Sequence, residues 1–114
     1  MDLKIIYTKS YDKCLKKLKK YNYEYNNLNK ILKIIREAFD FDELIRIPIL
    51  HKYHFERLKY DKNDFYSFNL CKNGGKIRLI VKPNENNIIE LYLAFISYDH
   101  YQDFDIRKVI YYDE

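Results

Sequence analysis

Three short runs in the second half of the chain constrain the fold most: "FYSFNL" (65–70), "KIRLIV" (76–81) and "IIELYLAFI" (88–96), separated by "KNGG" and "KPNENN". Runs of that length, dense in aromatic and β-branched residues and divided by turn formers, predict a meander of antiparallel strands. The glycine-bearing "KNGG" is a strong hairpin signal. "HFERLK" (54–59) is a less regular candidate strand ahead of them. Alternation assigns faces: Ile77, Leu79 and Val81 point one way, and Lys76, Arg78 and Ile80 the other. In the preceding run Tyr66, Phe68 and Leu70 face the core, leaving Ser67 and Asn69 exposed. In "HFERLK" the same rule puts Glu56 and Leu58 on one face, so a core Leu58 would draw Glu56 inward unless a bulge or loop intervenes.

The first half reads differently. "LKIIYT" alternates as a first strand of about six residues, and Ser10 offers a helix cap. Tyr11, Cys14, Leu15 and Leu18 then recur at i, i+3, i+4 and i+7, with Lys13, Lys16, Lys17, Lys19 and Lys20 largely on the other side. The polar "NYEYNN" predicts a turn, after which Leu28, Ile31, Leu32, Ile35 and Phe39 restore the helical period. "DFDEL" adds a further helical turn before Pro48 ends it. The fold class is therefore α+β: an N-terminal strand, an antiparallel helix pair, then an antiparallel sheet meander with the helices on one face and the other face open.

A chain of 114 residues fits a single domain, 1–114, with one core. The longest apolar stretch, 88–96, contains Glu90 and is far shorter than the ~20 residues of a membrane-spanning helix. "MDLKIIYTKS" lacks the parts of a signal peptide, so a cytoplasmic location is expected. Cys14 and Cys71 are too few for a disulfide framework and read as free thiols. His51 and His54 have i, i+3 spacing, but Pro48 and the adjacent strand signal argue against a helix there and a third ligand is missing, so neither metal nor cofactor is expected. Net charge is +4 and the pI about 8.9, a weak pointer to polyanions. The 13 tyrosines accompany abundant Lys, Asn and Ile, all with A/T-rich codons, so only tyrosine position carries information.

The element order, together with "FERLKYDKNDFYSFNLCKNGGKIRLIV" and "FISYDHY", resembles the RelE/ParE superfamily of bacterial toxins, most closely its YoeB-like and RelE-like ribonucleases. The likeness spans about 4–104. It rests on a glutamate two residues before "LK", an aromatic-Ser strand, an "RL" strand and a terminal aromatic followed by "HY". By that resemblance the catalytic positions are Glu56, Arg78, His100 and Tyr101. It implies metal-independent mRNA cleavage on the ribosome, and restraint by a cognate antitoxin protein. Close members stop at or just after the His-Tyr pair, so 102–114 reads as a C-terminal extension, with Ile106, Val109 and Ile110 needing somewhere to pack as a helix or edge strand.

The residue types suit the chemistry. RNA carries its own nucleophile, the 2′-hydroxyl, so cleavage needs a base, an acid and a cation. Glu56 is the candidate base, Arg78 the phosphate clamp and His100 the acid, with base and acid open to exchange; Tyr101 orients the phosphate or stacks on a base. Asp99 or Asp103 near the imidazole would favour its protonated form. Lys52, His54, Arg57, Lys59 and Lys76 are candidate RNA contacts through charge. Plainer readings exist: Glu56 and Arg57 as a surface ion pair, and His100-Tyr101 as the start of a C-terminal helix. The alternative function is a non-enzymatic, ParE-like inhibitor that binds DNA gyrase, a class that generally lacks the Glu-Arg-His set.

Overall fold

The computed structural model describes residues 2–72 and 74–112. A five-stranded sheet of order β1-β5-β4-β3-β2 is built from β1 (Lys4–Tyr7), β2 (Glu56–Arg57), β3 (Tyr66–Asn69), β4 (Arg78–Asn84) and β5 (Asn87–Ser97). The meander is antiparallel from β2 to β5. β1 closes the far edge by running parallel to β5, with Ile5 opposite Leu91. A parallel pair requires a long crossover, and most of the chain lies between these two strands. The turn after β4 is narrower than "KPNENN": Lys82 and Pro83 are still strand residues, opposite Tyr92 and Leu91. In "KNGG", Asn73 lies outside the described residues, and Gly74 has φ 61°, the left-handed region that glycine tolerates.

Helices α1 (Lys9–Leu18) and α2 (Asn22–Glu37) and the single turn α3 (Phe41–Leu44) come from the first half. Thr8, not Ser10, caps α1, accepting from the Tyr11 N–H at 3.1 Å. Ser10 instead sits in the first helical turn, and both hydroxyls donate to β5, Thr8 Oγ1 to the Leu93 carbonyl at 2.8 Å and Ser10 Oγ to that of Ala94 at 2.7 Å. "NYEYNN" is not a turn but the start of α2. Asn27 lies on that helix's buried side, where its Nδ2 donates to the Leu70 carbonyl at 2.9 Å, so a polar residue serves the core face. Phe39 falls beyond α2 and is exposed, while Ala38 takes the buried position at the helix end. The "DFDEL" turn forms, capped by Asp40 accepting from the Glu43 N–H. Beyond it Pro48 begins a 3-10 turn, Pro48–Tyr53, because its fixed φ suits a first helical position.

The helices cover one face of the sheet over a core that includes Leu18, Leu28, Ile31, Ile35, Phe68, Leu79, Val81 and Leu91. The opposite face is not open. Leu58, Phe65, Ile80, Ala94 and Phe104 form a second buried cluster there, with Phe95, Tyr101 and Val109 against it. A register shift after Ile80 turns both Ala94 and Phe95 toward this side. The second cluster also resolves Leu58: it is a core residue of the face away from the helices, so Glu56 can share its side without entering the helix-side core and without a bulge.

The C-terminal segment covers this second face. It forms neither a full helix nor a strand, only a 3-10 turn at Ile106–Lys108. Beyond that, the Ile110 carbonyl accepts from the Lys9 N–H at 2.8 Å, and the Ile110 N–H donates to Ser10 Oγ at 3.0 Å. Val109 is half-buried, whereas Ile106 and Ile110 stay exposed. Among the described residues no helix is long and apolar enough to cross a membrane. Because Phe104 is buried against Phe65 and Phe95, Phe104→Ala should cost about 3–5 kcal/mol in urea unfolding; an unchanged midpoint would mean that the extension does not stabilise the fold.

Candidate active site

Glu56 owes its direction to the residue before it. Phe55 stacks on Phe68 (centroids 4.4 Å apart, planes 7° apart) on the helix side. The next side chain therefore turns to the other side, where Glu56 stands opposite Ser67 and Ser67 opposite Ile80. The edge strand is two residues long and charged, which discourages further strand pairing. Glu56 is exposed and lines a cleft of about 280 Å³ with Leu58, Lys59, Tyr60, Lys62 and Tyr101.

Arg78 opens β4 between Asn69 and Ser97. As alternation requires, it faces away from the helices, but only 7% of it is exposed. Its Nη1 donates to Asn69 Oδ1 at 2.9 Å, to the Ile77 carbonyl at 3.2 Å and to the Gly75 carbonyl. The guanidinium carbon lies 5.9 Å from the centre of the Tyr101 ring. Among the described residues no carboxylate forms an ion pair with Arg78.

His100 and Tyr101 lie in a tight turn rather than a helix, both at positive φ (51° and 72°). Such conformations are costly for bulky residues and persist where the surroundings hold them. Here Asp103 accepts from Ser97 Oγ at 2.5 Å and from the Tyr98 N–H at 2.9 Å. Ser97 Oγ accepts from the Tyr101 N–H at 2.9 Å, and the His100 N–H donates to the Lys76 carbonyl at 3.0 Å. The acids flanking His100 have other partners: Asp103 is bound within the turn, and Asp99 pairs with Lys76 at 3.6 Å. Tyr101 joins the set: its hydroxyl shares a 2.6 Å hydrogen bond with Ser67, and its ring lies 5.0 Å from that of His100.

Glu56, Arg78, His100 and Tyr101 thus lie on one side of the sheet. Glu56 and Arg78 are two strands and two residues apart, roughly 12 Å between Cα atoms from strand spacing and rise. Two long side chains can approach one phosphodiester across that span. The basic residues divide. Lys59 lines the cleft, and Lys76 flanks His100. Arg57 stands opposite Tyr66, gives its Nε to the Asn63 carbonyl and forms part of the cleft wall. Lys52 lies in the preceding 3-10 turn, with its Nζ 5.4 Å from the Tyr53 ring centre, and His54 caps that turn. His51 is also in that turn; among the described residues no group of three or more His, Cys, Asp or Glu side chains converges as a metal site would.

Ser67 and Asn69, expected to be exposed, are buried, because Tyr101 caps one and Arg78 the other. Alternation gives their face but not this cover. Tyr60 and Lys62 are cleft residues that no pattern in the sequence marked. Burial pushes the Cys14 and Cys71 thiols up, away from the reactive thiolate form.

No protein-family model matches the sequence, and no curated protein matches it significantly. Solved structures do. A copper-bound mutant toxin from Helicobacter pylori is similar over 90% of this chain and 99% of its own, at 20% identity and a TM-score of 0.64. A YoeB/ParE toxin from Agrobacterium tumefaciens is similar over 83% and 96%, at 14% identity and a TM-score of 0.58. A YoeB dimer from Staphylococcus aureus is similar over 86% and 98%, at 17% identity and a TM-score of 0.57. The chain has the fold of YoeB/ParE-type toxins.

Asp103 holds the His100-Tyr101 turn through Ser97 and Tyr98. Asp103→Ala should therefore lower stability by about 1–3 kcal/mol and speed hydrogen exchange at the His100 amide. Exchange as slow as in the parent would show that the turn is held by other contacts.

Proposed function

We propose that the protein is the toxin of a toxin-antitoxin system, a metal-independent endoribonuclease that cleaves mRNA on the ribosome in the cytoplasm. The observation that carries this reading is Arg78. An arginine that is only 7% exposed would ordinarily be matched by a carboxylate, since an unpaired buried charge is expensive. Here Nη1 meets three neutral oxygens, which satisfy its hydrogens without cancelling its charge. Among the described residues Nε and Nη2 have no acceptor, and no fully buried side-chain nitrogen or oxygen is left without a partner. The fork geometry of those two donors suits the paired oxygens of a phosphodiester.

The steps follow from the chain's own groups. Glu56 takes the proton of the 2′-hydroxyl as its oxygen attacks the adjacent phosphorus. Arg78 holds the non-bridging oxygens as negative charge builds on them. His100 gives a proton to the leaving 5′-oxygen, leaving a 2′,3′-cyclic phosphate. Tyr101, fixed by Ser67, sets the distance between Arg78 and His100. Glu56 and His100 could exchange base and acid roles without changing this balance. Lys59 and Lys76, nearest the cleft and the imidazole, supply screened attraction to the RNA backbone, with Arg57, Lys52 and His54 contributing at longer range. A cognate antitoxin would restrain the protein by covering the same basic side.

Induction in cells, with 5′ ends of translated mRNAs mapped beside a gyrase supercoiling assay, tests this reading. New cuts within translated frames are expected; intact transcripts with inhibited supercoiling would make the protein a gyrase inhibitor instead. Arg78→Ala should slow cleavage by about 10²–10³. Because Arg78 is buried, His100→Ala is the cleaner test: His100 is exposed, so folding should be retained while the rate falls by about 10²–10⁴. Parental cleavage by that variant would remove the imidazole from the mechanism.

A further inference from the structure

Tyr60 stands out among the exposed aromatic residues. It is 88% exposed, lines the cleft beside Glu56 and Tyr101, and has φ 61°. A tyrosine gains nothing in stability from either property. Its ring is in water, and the left-handed backbone carries a steric cost that glycine or asparagine would largely avoid. The loop bearing it is nevertheless firmly closed. The Leu58 N–H donates to the Phe65 carbonyl at 2.8 Å, the Lys62 N–H to that of Lys59 at 3.2 Å and the Phe65 N–H to that of Lys62 at 2.9 Å. Leu58 and Phe65, at the two ends, are anchored in the second buried cluster. A strained, solvent-facing ring on a tied loop is a presented surface, and Lys59 and Lys62 flank it on the cleft wall.

We propose that Tyr60 is a stacking platform for one unpaired nucleobase of single-stranded RNA, the base next to the linkage held by Arg78. This rests on the ribonuclease reading and adds the residue that seats the substrate. The aromatic face accepts any base, and the two lysines supply the charge that follows the backbone. Tyr101 cannot serve the same purpose freely, because its hydroxyl is bound to Ser67 and its ring lies against His100 and Arg78. The cleft then positions RNA from both sides, the base on Tyr60 and the phosphate on Arg78.

The test uses the full chain and two RNA oligonucleotides, each presented free and on programmed ribosomes. One is cleavable; the other carries a 2′-deoxy block at the cleaved linkage and 2-aminopurine beside it. Quenching of the 2-aminopurine by the parent, Tyr60→Phe and Tyr60→Trp is expected, with its loss in Tyr60→Ala and Tyr60→Gly. KM for the cleavable RNA should rise about tenfold to a hundredfold in the latter two, the size of one lost stack, with kcat less affected. Tyr60→Gly should melt at or above the parent temperature, so its defect cannot be put down to unfolding. Undiminished quenching and KM in Tyr60→Ala would overturn the platform, as would the absence of RNA binding by the parent. Quenching without any cleavage would instead sink the ribonuclease reading and leave the platform standing.

Discussion

A buried arginine that, among the described residues, bonds to neutral oxygens and to no carboxylate is the constraint around which this side of the molecule is organised. Nη1 of Arg78 is held by the Asn69 side chain and by the Gly75 and Ile77 carbonyls. This fixes the cation in place, and among the described residues no carboxylate cancels its charge. In a site shielded from water an uncancelled charge acts on an incoming anion more strongly than an exposed lysine does. The hairpin between β3 and β4 is part of the same arrangement. Gly75 supplies one of the carbonyls, and a Cβ there would collide with the Cys71 side chain. Gly75 thus both makes room for Cys71 and gives its carbonyl to the cation.

The second buried cluster turns what would be a flat sheet face into a bounded cleft. Phe104 and Val109, from the C-terminal segment, pack with Leu58, Phe65 and Ile80. The turn leading into that segment carries His100 and Tyr101. This C-terminal segment tethers the residues just before it, and it is tied to the start of α1 through Ile110. Among the described residues, three of the four non-glycine residues at positive φ, Tyr60, His100 and Tyr101, border this one region, and the fourth, His54, precedes β2. Strain gathered in this way is what a site built for geometry at some cost in stability would show.

Much of this was legible in the sequence because it depends on local period. The two helical stripes, the α+β layout, the hairpin and the side on which Arg78 lies all follow from spacings of 3.6 and 2 residues. What escaped depends on contacts distant in sequence. Nothing in "FYSFNL" says that Ser67 will be capped by Tyr101, 34 residues away, so burial of that polar row was missed. Thr8 rather than Ser10 caps α1 because the helix begins at Lys9, which puts Ser10 inside its first turn. "NYEYNN" joins α2 because tertiary burial of Asn27 and Leu28 overrides its polar composition. The sign of φ at Tyr60, His100 and Tyr101 has no counterpart in residue type, since each stands where glycine or asparagine would be the natural choice.

The central claim is that Arg78 carries a free charge aimed at a phosphodiester. The most direct measurement follows the guanidinium ¹⁵N and ¹H signals of Arg78 while a 2′-deoxy-blocked dinucleotide is added. The account requires the Nε and Nη2 signals to shift and saturate while the Nη1 contacts to Asn69, Gly75 and Ile77 persist. Saturable shifts confined to surface lysines, with the Arg78 signals unmoved, would contradict it.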